Sequence, residues 1–179
     1  MPRKVLSTAP EIGFFGKLPL TGDFVSRGLR PVFRGHWDAF VSKHLAGRLR
    51  AGSPWPNHGL RFRLVSGGQV AAGVIVPGKD SADRVFPLSL MVFGTDLPAA
   101  SVLDTWCDKA LLAAGPAGQG MATADELLAA LEVVPIPVAD NGEKAPRLQL
   151  WTKSTGPIDC DPFDPADAIQ ALFLPESIF

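Results

Sequence analysis

The side chains of this chain that could do chemistry are Asp23, Arg27, Asp38, Asp80 and Arg84, opposite charges carried by two glycine- and proline-rich stretches and the start of a helix. An acid beside a base supports proton transfer when geometry and a shifted pKa agree. The same charges could instead form ion pairs that pin one loop to another. No nucleophile with an evident partner base accompanies these carboxylates, which favours the ion-pair reading over catalysis.

Other reactive patterns fail on spacing. Gly13-Phe14-Phe15-Gly16-Lys17 resembles a phosphate loop only superficially. That loop needs about four residues between its glycines and a Ser or Thr after the lysine, where this chain has two phenylalanines and Leu18. A tight turn at a strand end is the better account. His36 and His44 are too far apart for the one-turn spacing of a helical metal pair, and His58 stands alone. Cys107 and Cys160 form neither a C-x-x-C pair nor a zinc cluster and read as two free thiols of a reducing compartment. There is no G-x-S-x-G elbow, and Ser66-Gly67-Gly68 reads as a hairpin turn. Neither a metal nor a cofactor is expected, and no enzyme activity.

The elements that must position these residues follow from periodicity. Residues 11–16 form a short apolar run bracketed by glycines, a buried strand with close backbone approach at Gly13 and Gly16. Lys17 to Gly28 reads as a loop. From Pro31 to Leu49 the apolar residues Phe33, Trp37, Phe40, Val41, Leu45 and Leu49 mark one face of an amphipathic helix, packed through Trp37, Phe40 and Val41. Leu60, Phe62 and Leu64 alternate with Arg61 and Arg63, and the glycine turn leads into Gln69 to Val76, a hairpin with one face on the core. Phe86 to Phe93 continues the meander.

Helices are expected over 101–114 and over 123–133, where Thr123 and Glu126 have capping-box spacing. A strand follows over 147–152 and a last helix over 165–174. The class is α+β: about five mainly antiparallel strands packed with about four helices. The aromatic residues are mostly core. Trp55, in the stiff Ser53-Pro54-Trp55-Pro56-Asn57 loop, either anchors a partner or packs over the helix end.

A length of 179 residues suits one domain, spanning 1–179 with a flexible stretch over 1–10. Seventeen basic and eighteen acidic residues leave a net charge of −1, which provides no field for nucleic acid or anionic lipid. The start lacks an uninterrupted apolar h-region and no stretch approaches a membrane span, so a cytoplasmic protein is expected.

GFFGKLPLTGDFVSRGL at 13–29, with the helix start PVFRGHWDAFV behind it, resembles the N-terminal hallmark of the TagF (ImpM) family. Gly13, Gly16, Lys17, Leu18, Pro19, Gly22, Asp23, Phe24, Val25, Arg27, Trp37 and Asp38 fall on that family's G-x-x-G-K-L-P-x-x-G-D-F-[VI]-x-R motif and its Trp-Asp pair. GVIVPGKDSADRVFPL at 73–88 is similar to a second family segment through Gly73, Val74, Pro77, Asp80, Arg84, Phe86, Pro87 and Leu88. Gly78, Ser81 and Asp83 depart from it, and at Gly78 and Ser81 a hydroxyl and a positive charge are missing.

The resemblance implies one TagF domain without the phosphatase domain that some relatives carry. It implies a post-translational repressor of type VI secretion that acts by binding the forkhead-associated scaffold component. Loops 17–27 and 77–84 are rich in glycine, proline and charge, as exposed binding loops are. Lys17, Asp23, Arg27, Asp80 and Arg84, with Trp55, are therefore the expected partner-binding residues. The competing class is a small enzyme or ligand-binding domain with an Asp/Arg-lined polar pocket. A shallow surface around Asp23 and Asp80 would favour the binding module, and a deep cleft with converging ionisable groups the enzyme.

Overall fold

The computed structural model describes residues 9–139 and 146–174, so the flexible start expected over 1–10 falls mainly outside the described residues. The element order is β1 (Glu11–Gly16), β2 (Val25–Arg27), α1 (Pro31–His44), α2 (Ala46–Arg50), β3 (Leu60–Ser66), β4 (Gln69–Val76), β5 (Leu88–Gly94), α3 (Ala100–Gly118), α4 (Ala124–Glu132), β6 (Leu148–Thr152), β7 (Thr155–Cys160) and α5 (Ala166–Leu172). The strands form one sheet in the order β2-β1-β5-β4-β3-β6-β7, antiparallel at every pairing. The class is α+β, with seven strands and five helices among the described residues in place of about five and four.

Each additional element has a local reason for being inconspicuous in sequence. β2 is three residues long, too short to alternate, and exists because it pairs with β1 through Phe14 opposite Arg27 and Gly16 opposite Val25. β7 contains Gly156 and Pro157, which read as breakers. As the outermost strand it tolerates a proline whose missing N–H leaves no central ladder bond unmade. The single helix expected over 31–49 is two, because Leu45 leaves helical geometry (φ −125°, ψ −40°) while it and Ala46 bury completely. Pro31 opens α1 at its first turn, and Thr123 caps α4 in a capping box with Glu126.

The sheet separates two cores. On one face α1, α2 and α5 pack through Trp37, Val41, Leu45 and Ile169 onto Phe62, Ile75 and Met91. On the other, α3 and α4 pack through Leu103, Trp106 and Leu127 onto Phe14, Val74 and Leu90. This second layer corrects the hairpin with one buried face: β4 is buried on both faces along most of its length. It also encloses Arg61 and Arg63, whose alternation in β3 predicts a solvent-facing side.

Candidate functional site

β1 ends at Gly16, and the chain from Lys17 to Phe24 folds against the loop from Pro77 to Pro87 that leads into β5. Two glycines permit this closure. A Cβ at Gly78 would lie 2.7 Å from the carbonyl oxygens of both Lys17 and Phe86, and a Cβ at Gly16 would run into the Pro87 carbonyl. Backbone bonds fasten the corner, with Ser81 N–H donating to the Thr21 carbonyl (2.8 Å) and Phe86 N–H to that of Gly78 (3.1 Å). Asp83 takes a left-handed conformation (φ 60°) to complete the turn.

Asp80 is the centre of the corner and is 1% exposed. Its carboxylate meets Lys17 Nζ at 3.1 Å and Arg84 Nε at 2.9 Å. It also accepts backbone N–H bonds from Ala82 (2.9 Å) and Arg84 (3.0 Å). Arg84 Nη2 then donates to the Gly22 carbonyl at 2.7 Å, tying the later loop to the earlier one. Burial alone would push the Asp80 carboxyl up. The Arg84 N–H, the Lys17 ammonium, the Ala82 N–H and the Arg84 guanidinium outweigh it and bring the pKa down to about 2. The ion-pair reading of the sequence is thus realised for Asp80 and Arg84, and Lys17, which that reading does not include, completes the link between the two loops.

Loop composition predicts exposure for Lys17 and Asp80, and the structure buries both. The physical reason is mutual: each neutralises the other, so the corner closes over them, whereas either alone would stay in water. Substituting Lys17 is consequently a change to the interior of the corner. The other sequence-predicted residues lie elsewhere. Asp23 is exposed and its carboxylate accepts from the neighbouring Phe24 N–H at 2.7 Å. Arg27 reaches Asp125 in the first turn of α4 at 3.0 Å, a solvent-exposed pair that fastens β2 to that helix. Asp38 accepts from Ser42 within α1. Trp55 is half-buried, donates its indole N–H to the Ile75 carbonyl at 3.0 Å, and meets the Phe173 ring edge-on at 5.0 Å.

Beside the exposed charges of Asp23 and Arg84, the corner presents apolar side chains to solvent. Phe24, 47% exposed, stacks on Phe15 at 5.8 Å, meets Phe86 edge-on at 4.8 Å, and has the Lys17 ammonium 4.9 Å from its ring centre. Leu20 is 53% exposed on the same loop, and Gly120 beside Pro19 brings exposed Met121 into the neighbourhood. A shallow depression beside Phe24 is lined by Ser26, Arg34 and Asp38. Leu20 was not singled out from the sequence, although an apolar residue between Pro19 and Thr21 in a polar loop was a usable signal.

A second charged cluster escaped sequence reasoning because Arg61 sits at an alternating strand position. Its fully buried guanidinium bridges Asp104 and Asp108 of α3 at 2.6 Å each. Trp151 donates to the same Asp104 oxygen at 2.9 Å, and Lys153 approaches Asp108 at 3.4 Å. Burial pushes the Cys107 thiol up to about 12, so it is not a nucleophile near neutrality. Among the described residues, no group of three or more His, Cys, Asp and Glu side chains could hold a metal ion, and no helix is long and apolar enough to cross a membrane.

Comparison with known proteins places this geometry. The chain is similar in fold to the crystal structure of PA0076 from Pseudomonas aeruginosa PAO1, with a TM-score of 0.57 and 25% identity, over 90% of this chain and 78% of that one. No curated protein matches the sequence. The family model for the TagF N-terminal domain, type VI secretion system-associated, matches residues 13–134, which include both loops of the corner, Trp37 and the α3–α4 layer. With well over half of its length matched, the chain belongs to the TagF N-terminal domain family of type VI secretion-associated proteins.

Proposed function

We propose that the protein is a cytoplasmic post-translational repressor of type VI secretion, a single domain that works by binding the forkhead-associated scaffold component through the Lys17–Phe24 corner, without catalysis. The observation that carries this reading is the division of labour in the corner: Lys17 and Asp80 are consumed in a buried pair, while Leu20 and Phe24 are left exposed among the solvent-facing charges of Asp23 and Arg84. Asp80 holds four bonds and a pKa of about 2, so it is an anchored anion near neutrality and a poor general base. Leu20 and Phe24 stand exposed on the loop that these bonds fasten, and a few apolar anchors of this kind can dominate an interface. The open depression beside Phe24, lined by Ser26, Arg34 and Asp38, supports a protein partner over an enzyme's enclosed pocket.

The test uses the full chain and the forkhead-associated scaffold co-expressed with it. Wild type is expected to co-purify with the scaffold, and Leu20→Glu to lose it while its folding stability stays within about 0.5 kcal/mol of wild type, as for most surface changes. Retention of the scaffold by both Leu20→Glu and Phe24→Ala would place the interface elsewhere, and failure of wild type to capture it would remove the proposed partner. Phosphatase, nucleotidase or esterase turnover lost on Asp80→Asn, with the fold intact, would restore the enzyme reading.

A further inference from the structure

A cleft of about 420 Å³ opens between α1, the end of β3, the start of β6 and the Pro162–Phe163 turn, and no residue of the Lys17–Phe24 corner lines it. Its floor is aromatic. Trp37 lies between Phe33 (centroids 6.0 Å, interplanar 12°) and Phe40 (5.3 Å, 21°), three rings in nearly parallel planes. Phe163, 76% exposed, forms a wall, with the Arg147 guanidinium 5.4 Å from its ring centre.

The polar side chains on this cleft have one sign. Among the described residues Lys43 and Arg147 both line it, no carboxylate does, and neither cation has an ion-pair partner. His44 also lines it. Burial and the neighbouring Lys43 ammonium push its pKa down against the pull of Asp164, which leaves it neutral near pH 7 and able to donate or accept a hydrogen bond. An apolar, aromatic hollow of a few hundred Å³ with a small number of fixed polar groups is the usual form of a small-molecule site. The partly exposed rings of Phe33 and Phe40 and the exposed ring of Phe163 favour a flat apolar body, and two unpaired cations favour a carboxylate on it.

We propose that this cleft is a binding site for a small amphipathic carboxylate with a planar aromatic body, seated between the half-buried Phe33 and Phe40 and the exposed Phe163 and held by Lys43 and Arg147. The site is independent of the scaffold-binding reading, because its residues and those of the corner do not overlap.

The proposal is tested with 2-naphthoate titrated into the ¹⁵N-labelled full chain, followed by amide shifts. Saturable shifts are expected at Phe40, Lys43, His44 and Leu148. Lys43→Glu and Arg147→Glu, both exposed positions, should each weaken binding about tenfold, the scale of losing one charge-assisted contact. The cationic analogue 2-naphthylmethylammonium should not bind, and Leu20→Glu should leave naphthoate affinity unchanged. Absence of saturable shifts at these amides, equal affinity for the cation, or unchanged affinity in both charge reversals would overturn the proposal. So would a concentration-dependent dimer that occupies the cleft and excludes naphthoate.

Discussion

The ammonium of Lys17, at the end of β1, lies 3.1 Å from Oδ2 of Asp80, and neither side chain exposes more than a tenth of its surface. The contact joins the two segments that carry the family signature and fastens one loop of the corner to the other. A buried pair of this kind specifies geometry more than it adds stability, since desolvation offsets much of the Coulomb attraction.

Asp80 makes stability depend on acid in a defined window. Its folded pKa of about 2 lies below the usual carboxylate value. Its contribution is therefore complete above about pH 4 and is lost as the pH falls toward about 2. Asp108 is held low as well, so the comparison is a difference between proteins. Urea midpoints measured down this range should fall more steeply for wild type than for Asp80→Asn. Parallel profiles would show that Asp80 is not the titrating anchor.

The two lysine pairs of this region should behave differently. Lys79 and Asp83 are 3.3 Å apart but mostly in water, a pair worth about 0–1 kcal/mol. Lys17→Met, which leaves a buried carboxylate short of a partner, should lower the urea midpoint clearly more than Lys79→Met. Equal effects would argue that water hydrates Asp80 in solution.

The Arg61 cluster gives an asymmetric prediction. Removing Asp104 and Asp108 together, both to Ala, strands a fully buried guanidinium and should cost about 3–5 kcal/mol. Arg61→Met replaces the buried charge by an apolar chain and leaves carboxylates that are about one-third exposed and can hydrate, so its loss should be smaller. Chemical denaturation of both variants measures this, and the reverse order would contradict the account.

Trp37 carries both packing and a hydrogen bond. It is 2% exposed, and its indole N–H donates to the buried Ser89 hydroxyl at 2.9 Å. Trp37→Ala should cost about 3–5 kcal/mol. Trp37→Phe keeps a ring but leaves Ser89 without its donor, for about 1–3 kcal/mol. A thermal midpoint unchanged in Trp37→Ala would remove Trp37 from the core.

By itself the sequence determined the elements whose signal is local. β1 came from a glycine-bracketed apolar run, the β3–β4 hairpin from alternation broken at Gly67-Gly68, α4 from its Thr123–Glu126 capping box, and the family from residues 13–29 and 73–88. Tertiary structure decided what depends on partners distant in the chain. β2 exists by pairing with β1, β7 tolerates Pro157 as an edge, and Arg61 is buried because α3 returns across the second face of the sheet bringing Asp104 and Asp108. The corner follows the same rule. Asp80 and Arg84 were legible as members of a charged set and Lys17 only as a motif lysine, because a lone charge in a glycine-rich loop belongs in water, and only the meeting of two loops made burial possible and left Leu20 and Phe24 outside.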